Sequence, residues 1–481
     1  MENPITSLSG FLEFYRNGGI IMTADTISAV ATAPGEGGIG IVRISGSEAA
    51  QIAGRIFRPH SGKQVSDIAS HHATYGTVVD PKTGETVDEA LLLLMYAPHS
   101  YTKEDVAEIQ CHGGMVSLRK ILLLTYAHGA RPAEPGEFTK RAFLNGRLDL
   151  TQAEAVIDVI RAKTDASQQM AVEQLTGRLS AKIAELRHDL LHQIAALEAA
   201  IDFPEEDIEE TAVEETRQVA EVSLRKIDEL LRGASVGRIL KDGLKTVIAG
   251  KPNVGKSSLL NALLESERAI VTNVPGTTRD VIEEYINLGG IPLRIVDTAG
   301  IRETDDIVEK IGVEKSQEWI EQADLILFLL DVSREISEED EEIFRLIEGR
   351  KALIILNKSD LEAKLDRSEI EARATGHTVL TIAAQTGDGL DALKEAIKDL
   401  VYEGAIRQEE SVLLTNTRQI HLLEKAARSL RGAEETILAG MPADCIVIDL
   451  RGAWETLGEV TGESVGDDII DQIFTQFYIG K

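Results

Sequence analysis

The pattern of apolar and polar positions changes character three times along this chain, and each change predicts a different kind of structure. From about Met22 to Arg141, short β-like runs (Ile39–Ile44, Ala90–Met95, Val106–Ile109) are separated by Gly, Pro and Asp, with one amphipathic stretch at Met115–Tyr126. A compact α+β domain is expected there. From about Ala142 to Arg232 the apolar residues fall at three- and four-residue spacing, and Leu150–Ile201 contains no proline, which predicts long helices. The acidic cluster Pro204–Glu215 reads as a solvated turn and helix start rather than a metal site.

Strand and helix then alternate, with strands predicted at Thr246–Ala249, Ile291–Val296, Leu325–Asp331, Ala352–Leu356 and Thr378–Ile382. That order predicts a doubly wound α/β domain. After about Arg407 the helical spacing returns, in Thr417–Leu438 and Ile446–Thr461, and the chain ends in Asp467–Lys481. Helical regions on both sides suggest that the α/β module is inserted into one helical domain. The expected division is a 1–21 extension of no functional weight, an amino-terminal α+β domain at 22–141, and helical parts at 142–236 and 406–481 around an α/β domain at 237–405.

Composition changes this picture little. A chain of 481 residues exceeds the roughly 250–300 residues of a single core, so several domains are required. Hydrophobic residues at 43% and charged residues at 27% are ordinary for a soluble protein, and 4% aromatic content suits helices packed by Leu, Ile, Val and Ala. Two cysteines, Cys111 and Cys445, are too few for a disulfide framework and fit a reducing cytoplasm. Apolar runs such as Leu325–Leu330 fall far short of the roughly 20 residues a membrane helix needs, so no membrane span is expected. The net charge of −30 opposes general attraction to polyanions, so any RNA contact requires a local basic patch or a partner.

The candidate chemistry begins with Gly250-Lys251-Pro252-Asn253-Val254-Gly255-Lys256-Ser257, which fits GxxxxGK[ST] directly after a strand and before the helix Ser258–Leu264. Glycines let successive backbone N–H groups turn toward phosphates, Lys256 supplies charge at the β- and γ-phosphates, and the Ser257 hydroxyl is placed for magnesium. Asp297-Thr298-Ala299-Gly300 puts a carboxylate at the end of another strand, with the Gly300 N–H available to a γ-phosphate. Asn357-Lys358-Ser359-Asp360 ends a third, where the Asp360 carboxylate can accept from guanine N1–H and its 2-amino group, donors that adenine lacks. Ala383-Ala384-Gln385 offers a backbone N–H to the guanine oxygen. These motifs in this order predict a GTP-binding, GTP-hydrolysing P-loop domain. Ile301 stands where a water-orienting glutamine is often found, and it cannot polarise water.

The chain from about Met22 to Lys481 resembles the MnmE (TrmE) family of tRNA-modification GTPases. The likeness is carried by Pro34–Gly46 (PGEGGIGIVRISG), Glu134–Gly146 (EPGEFTKRAFLNG), Asp202-Phe203-Pro204, Gly276-Thr277-Thr278-Arg279-Asp280 and the terminal Ile479-Gly480-Lys481. The resemblance implies a multidomain α/β plus all-α protein, with an amino-terminal folate-binding and dimerisation domain and a Ras-like GTPase domain inserted in a helical one. It implies that Thr278 joins Ser257 on magnesium. Potassium would be held by Asn253, Thr272, Val274 and Thr277, and Glu309 would orient the attacking water. The nucleotide would also meet Ser258, Asn273, Pro275, Gly276, Thr298 and Ala299.

For the amino-terminal domain, the resemblance implies a tetrahydrofolate derivative bound by Arg43, Glu108, Arg147 and Lys481. Arginine and lysine suit glutamyl carboxylates, and a carboxylate suits pterin N–H groups. The implied activity is modification of the wobble uridine of certain tRNAs at carbon 5, in a cytoplasmic homodimer working with the FAD-containing flavoprotein MnmG as a heterotetramer. A different reading, a GTP-dependent switch or assembly factor with no folate chemistry, shares every GTPase motif. The family usually ends in Cys-x-Gly-Lys, whereas Tyr478 stands at that cysteine here. Cys111 and His112 adjoin on a predicted strand, where neighbouring side chains point to opposite faces, so they are not expected to act together.

Overall fold

The computed structural model describes residues 25–33, 35–203, 209–266, 284–296, 319–374, 376–402, 414–477 and 479–480. Two compact units divide at Ile157 and Leu457: the residues before and after these points form one unit, and Asp158–Leu457 form the other.

The first unit is built on a sheet of seven strands: β1 (Ile27–Val30), β2 (Gly40–Ser45), β3 (Phe57–Pro59), β4 (Ala73–Val79), β5 (Thr86–Met95), β6 (Val106–Cys111) and β7 (Arg131–Pro132). Their order is β3-β4-β5-β6-β2-β1-β7. Period-two alternation sends Val42, Ile44, Leu92, Leu94, Ala107 and Ile109 into a core shared with helices Ala49–Ile56 and Met115–Ala127. Their neighbours Arg43, Leu93 and Glu108 therefore lie on the opposite face, where strand register sets Glu108 across from both Arg43 and Leu93. The predicted amphipathic stretch forms the second of those helices. Cys111 is buried and His112 is exposed, as the alternation requires.

The carboxyl-terminal helix Asp467–Phe474 belongs to the same unit, because Ile470, Phe474 and Phe477 pack with Phe143, Leu150, Ala153 and Ile157. Beyond it Ile479 bridges to Pro135. Gly480, at φ +95°, passes so close to β1 that a Cβ would lie 2.1 Å from the Val30 carbonyl oxygen. No other residue fits that approach.

In the second unit, helices on either side of the α/β module, Glu209–Arg232 and Thr417–Leu438, pack against each other, and Arg178–Asp202 packs on the former. The module holds a sheet of order β13-β12-β11-β8-β10-β9. Its strands are β8 (Leu244–Ala249), β9 (Glu284–Leu288), β10 (Ile291–Ile295), β11 (Leu325–Asp331), β12 (Ala352–Asn357) and β13 (Thr378–Thr381). All pair in parallel except β9, which joins β10 as an antiparallel hairpin. Every residue of β11 and β12 is buried, the condition of central parallel strands covered on both faces. Helices Lys256–Ser266 and Leu390–Tyr402 cover one face, and Glu338–Ile347 and Arg367–Arg373 cover the other. The doubly wound reading holds.

The two connections of the module are stitched together. Helix Ala234–Asp242 leads into β8, and a Cβ on its Gly237 would lie 2.0 Å from the Leu414 oxygen on the returning chain. Lys241 pairs with the buried Asp158 at 3.0 Å, and Asp158 in turn accepts from Thr415 at 3.3 Å.

Candidate functional site

The carboxyl ends of β8, β11, β12 and β13 lie side by side in the parallel sheet, and there the chain places most of its motif residues. In such sheets ligands bind beyond the carboxyl ends of the strands. The loop from Gly250 to Lys256 follows β8 and opens the helix Lys256–Ser266, the arrangement that turns amide N–H groups and a helix N-terminus toward an anion. Three of its residues have positive φ: Gly250 at +145°, Asn253 at +65° and Gly255 at +101°. A Cβ on Gly250 would lie 2.6 Å from the Leu329 oxygen, so the loop is pressed onto β11.

Lys256 lies across this loop, donating from Nζ to the carbonyls of Gly250 (2.5 Å) and Lys251 (3.0 Å). Burial disfavours its charge and pulls its pKa below the usual lysine value, so an arriving phosphate would restore what desolvation removed. Ser257 and Ser258 begin the helix beside it. On the far side Lys251 reaches the buried Asp340 at 2.6 Å and Ser337 at 2.9 Å, which ties the loop to the start of helix Glu338–Ile347.

Asn357, the last residue of β12, joins three segments. Its Nδ2 donates to the Val254 carbonyl at 2.8 Å, and its Oδ1 accepts from the Ala384 amide at 3.0 Å. Ser359 donates its amide to Ile382 at 3.1 Å, so the Asn357–Asp360 turn runs beside the Ala383–Gln385 loop. Ala383 and Ala384 are buried, while Asp360 and Gln385 are exposed. Lys358 spans back to the phosphate loop through the Asn253 carbonyl at 2.8 Å and meets Asp331 at 2.7 Å.

The predicted residues Asn253, Val254, Gly255, Lys256, Ser257, Ser258, Asn357, Lys358, Asp360, Ala383, Ala384 and Gln385 thus come together. Thr272–Thr278, Asp297–Gly300, Ile301 and Glu309 lie outside the described residues. Asp331 and Asp340 carry no motif. Only their burial at the ends of elements facing Lys358 and Lys251 marks them.

The first unit has a second cluster. Arg43 donates from Nε to Glu108 at 2.8 Å and from Nη1 to the Gly480 carbonyl at 3.4 Å. Its guanidinium lies 5.8 Å from the Tyr101 ring centroid and 5.6 Å from that of Phe138, and the exposed Arg147 stacks over Tyr101 at 4.7 Å. Arg43, Glu108 and Arg147 therefore share one locality around Tyr101, whose hydroxyl meets Thr139 at 2.9 Å and whose pKa burial raises. Asn145 donates to the Thr102 carbonyl at 2.7 Å, while its buried Oδ1 has no hydrogen-bond partner among the described residues. Two guanidinium groups at one aromatic ring, one of them paired with a carboxylate, fit a ligand that brings both donors and anions. Lys481 and Tyr478 lie outside the described residues.

Beneath this cluster is a buried ionic knot. Arg141, 2% exposed, pairs with Glu104 (3.1 Å), Glu137 (2.9 Å) and Asp25 (2.8 Å). Among the described residues no group of His, Cys, Asp and Glu is arranged to hold a metal, and no helix is long and apolar enough to cross a membrane.

Comparison with known proteins adds the context of relatives. The family model of the MnmE helical domain matches residues 150–477, and that of the GTP-binding protein TrmE N-terminus matches 26–147. The tRNA modification GTPase MnmE of Geobacillus kaustophilus is 52% identical over 458 residues, covering 95% of this chain and 99% of that protein. The protein of the same name from Desulforamulus reducens is 51% identical over 461 residues, covering 96% and 100%. That of Bacillus subtilis is 50% identical over 458 residues, covering 95% and 100%.

Proposed function

This chain belongs to the MnmE (TrmE) family of tRNA modification GTPases and is a GTP hydrolase, and from that premise we propose that, together with the flavoprotein MnmG, it installs a carbon-5 (carboxymethyl)aminomethyl group on the wobble uridine of certain tRNAs, using methylene-tetrahydrofolate. The observation that carries the one-carbon part is the Arg43–Glu108 pair at 2.8 Å, with the Arg43 and Arg147 guanidinium groups both at the Tyr101 ring. Arginines match the glutamyl carboxylates of a folate, Glu108 matches pterin N–H groups, and Lys481 adds charge at the chain end.

In the GTPase domain, Lys256 and the loop amides bind the β- and γ-phosphates, Asp360 reads the guanine edge, and an Ala383–Gln385 amide meets the guanine oxygen. Thr298, Ala299 and the Gly300 N–H would meet the γ-phosphate. Asn253, with its left-handed backbone within the anion-binding loop, and Ser257 at the helix start offer the oxygen donors that hard cations prefer. Ser257 and Thr278, with Asp297 through water, would hold magnesium, and Asn253, Thr272, Val274 and Thr277 would hold potassium. These cations, when bound, supply the positive charge that stabilises phosphoryl transfer. Glu309 orients the attacking water through a second water when two GTPase domains meet, a task Ile301 cannot perform. The homodimer, the FAD-bearing MnmG partner and a cytoplasmic location complete the proposal.

Mass spectrometry of tRNA nucleosides tests it: a strain lacking this gene should lose the carbon-5 modification of the wobble uridine, and its return should restore it. Unchanged modification would sink the proposal. Titration with 5-formyl-tetrahydrofolate separates it from a GTP-dependent switch, which would bind none.

A further inference from the structure

Asp331 is the last residue of β11, and register places it directly beside Asn357, the last residue of β12. It is 4% exposed, so a carboxylate there is costly unless its oxygens are satisfied. They are. Oδ1 accepts from the Ser333 amide (3.0 Å) and hydroxyl (2.7 Å), and Oδ2 accepts from Lys358 Nζ at 2.7 Å. Burial alone would push this carboxyl up, but the Lys358 ammonium and the Ser333 donors hold it below the usual aspartate value.

Lys358 is the unusual partner. It sits at φ +65°, a conformation that costs a non-glycine residue free energy, and its long side chain loses rotamer entropy when fixed. Nothing in its local sequence requires that fixation. The side chain is nevertheless pinned at its tip by Asp331 and by the Asn253 carbonyl of the phosphate loop at 2.8 Å. One ammonium therefore ties the loop that receives phosphates to the turn that carries Asp360. A ligand with phosphates at one end and a purine at the other spans that distance.

We infer that Asp331 is a positioning residue for guanine-nucleotide binding, holding the Lys358 ammonium between the phosphate loop and the base-reading turn. The inference rests on the reading of Asn357–Asp360 as that turn. With the carboxylate present the two half-sites are set before the nucleotide arrives, and without it the nucleotide must order Lys358 itself.

The test uses the full chain and mant-GDP followed by stopped-flow fluorescence. Asp331→Asn keeps an acceptor for Ser333 but loses the charge, and should raise the Kd for mant-GDP about tenfold or more, mainly through faster release. With GTP as substrate the loss should fall on KM rather than kcat. Ser333→Ala, which removes one hydroxyl donor but leaves the carboxylate, the Ser333 amide and the Lys358 contact in place, should cost clearly less affinity than Asp331→Asn. Lys358→Met should weaken binding, and adding Asp331→Asn to it should cost nothing further, because the carboxylate acts through that ammonium. If Asp331→Asn does not fold, Asp331→Ser, which can still accept from the Ser333 amide, takes its place in the cycle. Affinity within about twofold of the parent, or losses that add in the double variant, would overturn the inference. A separate variant, Asp360→Asn, tests the underlying reading: unaltered base preference there would fault the turn assignment and not the role of Asp331.

Discussion

Gly255 and Asn357 are packed so closely that a methyl group on the glycine would lie 2.2 Å from Asn357 Nδ2. The amide that would be struck holds the phosphate loop through Val254 and the Ala383–Gln385 loop through Ala384. Gly255 also has φ +101°, which a side chain rarely adopts. Gly255→Ala should therefore lose about 1–3 kcal/mol of nucleotide affinity from strain and a displaced Asn357. Isothermal titration with GDP checks this, and an unchanged Kd would deny the coupling of the two loops.

Asp360 projects at the exposed end of the same turn. Asp360→Asn should weaken GTP binding and admit xanthosine triphosphate, whose 2-oxygen needs a donor where guanine offers one. Competition binding with the two nucleotides measures the exchange of preference. Equal GTP affinity in the variant would remove Asp360 from base reading.

With Ile301 unable to polarise water, turnover should depend on potassium and fall when the smaller sodium replaces it. Glu309→Ala should slow hydrolysis with little change in nucleotide affinity, because a group acting only in the transition state leaves ground-state binding alone. Steady-state phosphate release in each salt decides both points. Indifference to the exchange would take Asn253 and its loop out of the cation account.

The carboxyl terminus reaches the amino-terminal cluster through Gly480, whose carbonyl accepts from Arg43 at 3.4 Å. Deleting Ile479–Lys481 should weaken tetrahydrofolate binding by about 1–3 kcal/mol, the range for lost charge-assisted hydrogen bonds. GTP hydrolysis should persist. Tyr478→Cys gives a companion comparison. If the natural chain and the variant restore wobble-uridine modification equally, the thiol has no required role.

The Arg141 knot makes a prediction about acid. Burial would raise the Glu137 carboxyl, but Arg131, the Glu134 amide and Arg141 together hold it below its ordinary 4.5. A carboxylate depressed in the folded state contributes stability that is complete above that ordinary value and lost as pH falls through its folded pKa. Protection of β1 and β2 in hydrogen exchange, corrected for intrinsic rates, should stay level from neutral pH down to about 5 and then decline. Glu137→Gln should flatten that decline. Arg141→Met, which removes the cation shared by Glu104, Glu137 and Asp25, should cost about 3–5 kcal/mol at neutral pH.

The sequence by itself determined the GTPase assignment and the longer elements, because both are local. Leu325–Leu330 is apolar throughout, the composition of a strand covered on both faces. Gly250–Ser257 fixes backbone turns and a lysine within eight consecutive positions, so its reading needs no distant partner. The strand Glu284–Leu288 and its hairpin with β10 were not among the expected elements, although Gly289-Gly290, both at positive φ, mark the turn between them.

What only the tertiary structure decided was which distant charges meet. Arg43 and Glu108 are 65 positions apart, and their pairing follows from the β2–β6 register. Gly480 is 437 positions from Arg43, brought there by a helix whose only local feature is an apolar stripe. Asp331 acquires Lys358 because β11 and β12 are neighbours in the sheet. Periodicity records whether a residue is buried, since water exclusion acts on each side chain in turn. The identity of a buried charge's partner depends on strand order and register, which the whole chain settles together.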